Sequence, residues 1–199
     1  MDLDMDRYAS VVAFAQELKK VRQGRGGVDY VLLNAGLSGV DFKFGEESWE
    51  QNIQVNVLST ALLGLLLLPW MKAERAHCSA PAHLAAAGSS RHLEPDIQQW
   101  KEWAAESAVP GHFNEPENWP GTDSMYMTTK LVVQYAGVEL AKMALGPDGR
   151  PEVIVHAVCP GIVSSNLPRH FKDNGKGHAI GIAIFFSLFG KPPSRKASM

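Results

Sequence analysis

Cysteine is scarce in this chain: Cys78 and Cys159 are its only two, far apart and without metal-ligand spacing to each other or to histidine. That argues against a disulfide framework and a zinc site, and fits a reducing, cytoplasmic setting. Charge of one sign is also missing. The 19 Lys and Arg nearly balance the 21 Asp and Glu, for a formal net charge of -2, and no basic cluster is dense enough to grip a phosphate backbone, so nucleic acid is not an expected partner. No apolar run reaches the roughly 20 residues that span a bilayer. Val57 to Trp70 reads as a buried helix face and Ile180 to Phe189 as a core or lid helix, so membrane association is not expected. The start MDLDMDRY lacks the basic and apolar parts of a secretory signal. No glycine-rich loop stands between a strand and a helix: Gly24-Arg25-Gly26-Gly27 precedes a strand and reads as a turn.

What is present is enough for one globular domain of 199 residues, with 45% hydrophobic and 20% charged side chains. Apolar residues at Val11, Val12, Phe14, Ala15 and Leu18 predict a helix over Arg7 to Val21. Asp29 to Leu33 is a short apolar run closed by Asn34-Ala35-Gly36, the pattern of a buried parallel strand and a tight turn. A long helix is predicted from Ser48 to Trp70, polar at first and then almost wholly apolar. His83 to Ala87 suits a strand by position but not by propensity, since alanine is a poor strand former. Arg91 to Ser124 has no clean period and reads as a long functional loop with a short helical piece near Asp96 to Ala108. Met127 to Ala144 has helical spacing again, and Val153 to Val158 is the clearest strand. The alternation predicts an α/β fold with a parallel sheet, whose ligands collect at the carboxyl ends of the strands.

The chemistry begins at Tyr126 and Lys130, whose four-residue spacing puts both on one helix face. An ammonium beside a phenol stabilises the phenolate and brings its pKa down from about 10, as a general acid/base at a carbonyl oxygen requires. Alone, the pair is equally an ordinary helix face. Its context is Asn34-Ala35-Gly36 after a strand, Asn56 inside a long helix, Ser89-Ser90 after a strand, and Pro160-Gly161 after another.

This ordered set resembles the short-chain dehydrogenase/reductase family, over about Leu3 to Leu167. The resemblance implies Tyr126 as acid/base, Lys130 as the residue that lowers its pKa and holds the nicotinamide ribose, and Asn56 as the holder of a water that feeds protons toward Lys130. It implies Ser90 as the hydroxyl on the substrate carbonyl, with Ser89 as the alternative. For the cofactor, NADP or NAD, it implies Asp4 on the adenine amino group, Asn34 and Gly36 along the adenosine side, and Val163 and Ser165 on the carboxamide. The 36-residue separation of Ser90 and Tyr126 is similar to the retinol dehydrogenase and WW-domain oxidoreductase branch, with related enzymes of fungal secondary metabolism. The substrate implied is a small apolar carbonyl or alcohol. Trp100, Trp103 and Trp119 in the 91–124 insertion suit either a substrate wall or anchors to the core.

The family's opening strand and Gly-x-x-x-Gly-x-Gly loop, which receives the cofactor pyrophosphate at a helix N-terminus, have no counterpart in this sequence. The expectation is therefore a partial, Rossmann-like doubly wound parallel sheet lacking the first βαβ steps and the last strand, with 171–199 as a lid or C-terminal segment. The strand at Asp29 to Leu33 would then form an edge. The rival reading is a cofactor-free relative acting as an interaction partner. Helices 48–70 and 127–144 would pair subunits of a homodimer, as in the family.

Overall fold

The computed structural model describes residues 1–74, 80–106 and 108–161. Cys78, Val163, Ser165, the Ile180 to Phe189 run and the 171–199 segment lie outside the described residues. Three strands, β1 (Tyr30–Leu33), β2 (Ala82–Ala87) and β3 (Val153–Val158), form one parallel sheet in the order β1-β2-β3. Around it stand α1 (Tyr8–Arg22), α2 (Thr60–Ala73), α3 (Trp100–Glu106), α4 (Ala108–His112) and α5 (Thr122–Met143). The fold is the expected Rossmann-type layer of strands and helices.

β2 forms despite its alanines because it is the central strand. Its whole length pairs with β3, Tyr30 to Leu33 pair with His83 to Ala86, and Ala82, Leu84 and Ala85 are almost fully buried. Tertiary pairing overrides intrinsic propensity here. α1 starts without a side-chain cap of its own. The Tyr8 N–H donates instead to Glu47 Oε1 at 2.8 Å, and Lys19, Lys20 and Arg22 complement the dipole at the other end. Leu67, Leu68 and Met71 of α2 are each 1% exposed, and burying each such side chain contributes about 1.5–3 kcal/mol.

The helix predicted from Ser48 starts later. Ser48 has a positive φ of 62°, Phe44 bridges to Glu50, and the Glu50 N–H donates to Asn114 Oδ1. A loop therefore holds these residues before Glu50 Oε2 accepts from the Ile53 N–H at 3.0 Å. Residues Ile53–Ser59 then form a π-helical turn before α2. Thr60 Oγ1 donates to the Val55 carbonyl and Gln54 Nε2 to Ser59 Oγ, so side chains satisfy polar groups inside the widened turn. Together Ile53–Ala73 is long and apolar enough to cross a membrane, yet most of it is buried in the core.

Among the described residues β1 is an edge, and Tyr30 and Leu32 are 54% and 50% exposed on it. An unpaired apolar edge invites pairing with another chain. We expect this polypeptide to self-associate in size-exclusion chromatography with light scattering, and Leu32→Lys to reduce the association. A soluble monomer with cooperative unfolding would contradict this.

Candidate active site

Near the carboxyl ends of β1 and β2 lie several of the polar residues that the sequence singled out. After β1 the chain passes through Asn34, Ala35 and Gly36 to Leu37, where Asn56 takes hold of it. Asn56 Oδ1 accepts from the Leu37 N–H at 2.8 Å, and Asn56 Nδ2 donates to the Leu37 carbonyl at 2.9 Å and to Thr129 Oγ1 at 3.2 Å. Thr129 in turn donates to the Tyr126 carbonyl at 2.9 Å. One buried amide thus ties the β1 loop, the π-helical turn and α5 together. A second, parallel tie runs from Gly39, whose N–H donates to Asn52 Oδ1, to the fully buried Glu50 carboxyl, which Asn52 Nδ2 reaches. Burial pushes the Glu50 carboxyl above the usual carboxylate range, against its hydrogen bonds.

Lys130 is 8% exposed, and its Nζ donates to the carbonyl of Ala87, the last residue of β2, at 2.8 Å. The ammonium lies over the Tyr126 ring, 5.6 Å from its centroid. Burial lowers the Lys130 pKa. Gly36 completes this pocket. A Cβ there would come within 3.3 Å of Asn56 Oδ1 and 3.9 Å of Lys130 Nζ, so the missing side chain leaves a cradle between the amide and the ammonium.

Two groups lie differently from the expectation. Of the serine pair, Ser89 is the one whose hydroxyl hydrogen-bonds the Tyr126 phenol. Ser89 is the extended residue that caps a 3-10 turn over Ser90–Leu93, accepting from the Arg91 N–H, whereas Ser90 starts that turn, is exposed, and directs its N–H to Cys159 Sγ at 3.2 Å. The phenol is also raised, not lowered. Burial is the main cause; the Ser89 hydrogen bond and the Arg91 charge oppose it, while the Cys159 thiol adds to it. Lys130 faces the ring and a carbonyl, so it does not offset the desolvation.

Of the expected cofactor contacts, Tyr126, Lys130 and Gly36 meet in this pocket, and Asn34 lies exposed just past the end of β1. Asp4 Oδ1 accepts from the Asp6 N–H, and its Oδ2 is 3.8 Å from Arg7 Nε. The tryptophans act as anchors. Trp103 stacks on His112 and, with Trp119, packs on a cluster of Ile53, Phe113 and Met125, and buried Trp100 meets Tyr135 of α5 edge-on. Sequence reasoning missed Thr129, Arg91 and Cys159. Thr129 directly precedes Lys130, and a hydroxyl one turn past Tyr126 was the signal available for it.

A parallel α/β sheet with Ser, Tyr, Lys and Asn side chains gathered near the ends of its strands is a Rossmann-type arrangement. The comparisons with known proteins then give what the chain is similar to. No protein-family model matches the chain. It is 32% identical over 171 residues to the short-chain dehydrogenase/reductase phmF of Phaeosphaeria nodorum, covering 86% of this chain and 47% of that protein. It is 34% identical over 171 residues to the short-chain dehydrogenase/reductase ffsI of Aspergillus flavipes, with the same coverage, 86% and 47%. Among solved structures it is similar to the Pseudomonas aeruginosa RhlG/NADP active-site complex, with a TM-score of 0.60 and 22% identity over 96% of this chain and 64% of that one. A short-chain type dehydrogenase/reductase from Mycobacterium marinum superposes with a TM-score of 0.59 and 15% identity, covering 94% and 57%. Over most of its length the chain is similar to curated short-chain dehydrogenases/reductases. It spans about half the length of the curated relatives it matches.

Proposed function

We propose that the protein is an NAD(P)-dependent oxidoreductase that interconverts a carbonyl and a secondary alcohol on a small apolar molecule, in fungal-type secondary metabolism, with NADP as its cofactor. The observation that carries this reading is the meeting of Tyr126, Ser89, Lys130 and Asn56 where β1 and β2 end. A nicotinamide held there would supply or accept the hydride at the substrate carbon. Lys130 and the Gly36 cradle would hold its ribose side, because a cation and an open backbone face the same space.

Tyr126 then moves the proton at the substrate oxygen. Its buried phenol is kept protonated, which is the form that donates to a carbonyl in the reductive direction. Ser89 shares the phenol's hydrogen bond and can turn its own O–H to the same oxygen, polarising the carbonyl as charge develops there. Asn56 fixes the loop facing Lys130, and we assign to it the water through which protons reach Lys130. We further propose the 48–70 and 127–144 helices as a homodimer face, supported by the exposed Leu65, Tyr135, Val138 and Met143, and a cytoplasmic location.

The test begins with fluorescence titration of NADPH and NADH, followed by nucleotide oxidation with a series of apolar ketones. Ser89→Ala is expected to lower kcat/KM about 10²–10³-fold, the usual cost of one hydrogen-bond donor at a developing oxyanion. Ser90→Ala should stay within a few-fold of the parent. The opposite ranking would return the catalytic role to Ser90, and failure to bind either nucleotide would end the oxidoreductase reading for this chain.

A further inference from the structure

Arg91 lies between the two elements that carry the proton-transfer pair. Its backbone N–H donates to Ser89 Oγ at 3.3 Å, so it is built into the turn that presents the serine. Its guanidinium grips both oxygens of Glu94, with Nε 3.3 Å from Oε1 and Nη2 3.2 Å from Oε2. Nη1 reaches Asp123 Oδ1 at 3.5 Å. Asp123 is in the first turn of α5, three positions before Tyr126 and so on its side of the helix. The guanidinium therefore bridges the Ser89 turn to the Tyr126 helix.

We propose that Arg91, oriented by Glu94 and Asp123, is a positioning residue that sets the electrostatic field at the Tyr126 phenol. The proposal rests on Tyr126 as the proton-transferring group. The charged and titratable groups facing that phenol are Lys130 on its own helix, Arg91 from the Ser89 turn and Cys159 at the end of β3, whose thiolate form is the one that acts on it, with Asp123 and Glu94 beside Arg91. Lys130 is committed to the Ala87 carbonyl, which leaves Arg91 as the cation acting from the Ser89 side. Arg91 favours the ionised phenol, whereas burial and Cys159 oppose it. A role confined to fold stability fits poorly, since the Arg91 and Asp123 side chains are 38% and 73% exposed and ion pairs that open to water contribute little.

The experiment is a fluorine NMR titration of the whole chain with fluorotyrosine at its four tyrosines. The ring fluorine lowers every phenol's ionisation range into milder pH, and the Tyr126 signal is the one lost in Tyr126→Phe. Removing the cation in Arg91→Gln should move the Tyr126 midpoint upward. Asp123→Asn, which removes an opposing anion, should move it downward, and Arg91→Lys should leave it near the parent. Unfolding temperatures should stay within a few degrees throughout. An unchanged midpoint in Arg91→Gln, or shifts of the same sign in Arg91→Gln and Asp123→Asn, would overturn the proposal. Retention of carbonyl reduction by Tyr126→Phe would instead defeat the proton-transfer reading, and the titration would still report on Arg91.

Discussion

Replacing Tyr126 by Phe is expected to lower carbonyl reduction by about 10²–10⁴-fold, the range typical of losing a positioned general acid. The fold should survive, because the ring still packs beneath Lys130 and only the hydrogen bond with Ser89 is lost, a change of about 1 kcal/mol. The same residue sets the pH dependence. Its folded-state pKa is raised by burial, so the proton-donating form stays full through neutral pH. Reduction should therefore be level there and decline only above the ordinary phenol value of about 10, while oxidation, which needs the phenolate, should climb with pH. A steady-state profile in both directions checks this. A fall in reduction near neutral pH that traces to Tyr126 would contradict the assignment of its protonated form.

Asn56→Ala is expected to be the most destabilising single change in the site. It would leave the Leu37 N–H and carbonyl without their partners at 2.8 and 2.9 Å, and Thr129 Oγ1 without its donor at 3.2 Å. Asn56 is 3% exposed, so water cannot replace these bonds freely. Each buried group left unpaired costs about 1–3 kcal/mol, and a total of about 3 kcal/mol would be a large part of the stability of a domain this size. Urea denaturation measures it. Loss of activity should accompany the loss of stability, since the amide links the Leu37 loop to the helix of Tyr126 and Lys130. A variant with parental stability would show that the Leu37 loop is held by something else.

The order of elements was legible because each depends on local pattern. The 3.6 period at Val11, Ala15 and Leu18 and the apolar run at Tyr30 to Leu33 pointed to α1 and β1 without knowledge of their neighbours. The Ser48 start failed because the competing interactions are remote. Asn114, more than sixty positions away, takes the Glu50 N–H and keeps that stretch out of the helix. The π-helical turn over Ile53–Ser59 was equally invisible, as it depends on where Gln54, Ser59 and Thr60 find partners.

For the site, the sequence by itself determined which residue types are available and in what order, because Tyr126 and Lys130 share a helix face by spacing alone and Asn56 and the serine pair stand where strands and helices meet. The resemblance to the family follows from that order. Only the tertiary structure decided which serine faces the phenol, that Lys130 points to Ala87, and that Arg91 is the cation on the Ser89 side. Each depends on the dihedral angles of a short turn and on which groups are shut away from water, and neither is encoded in a spacing. The direction of the Tyr126 shift changed for the same reason: burial outweighs a nearby charge whose ammonium is turned to another acceptor.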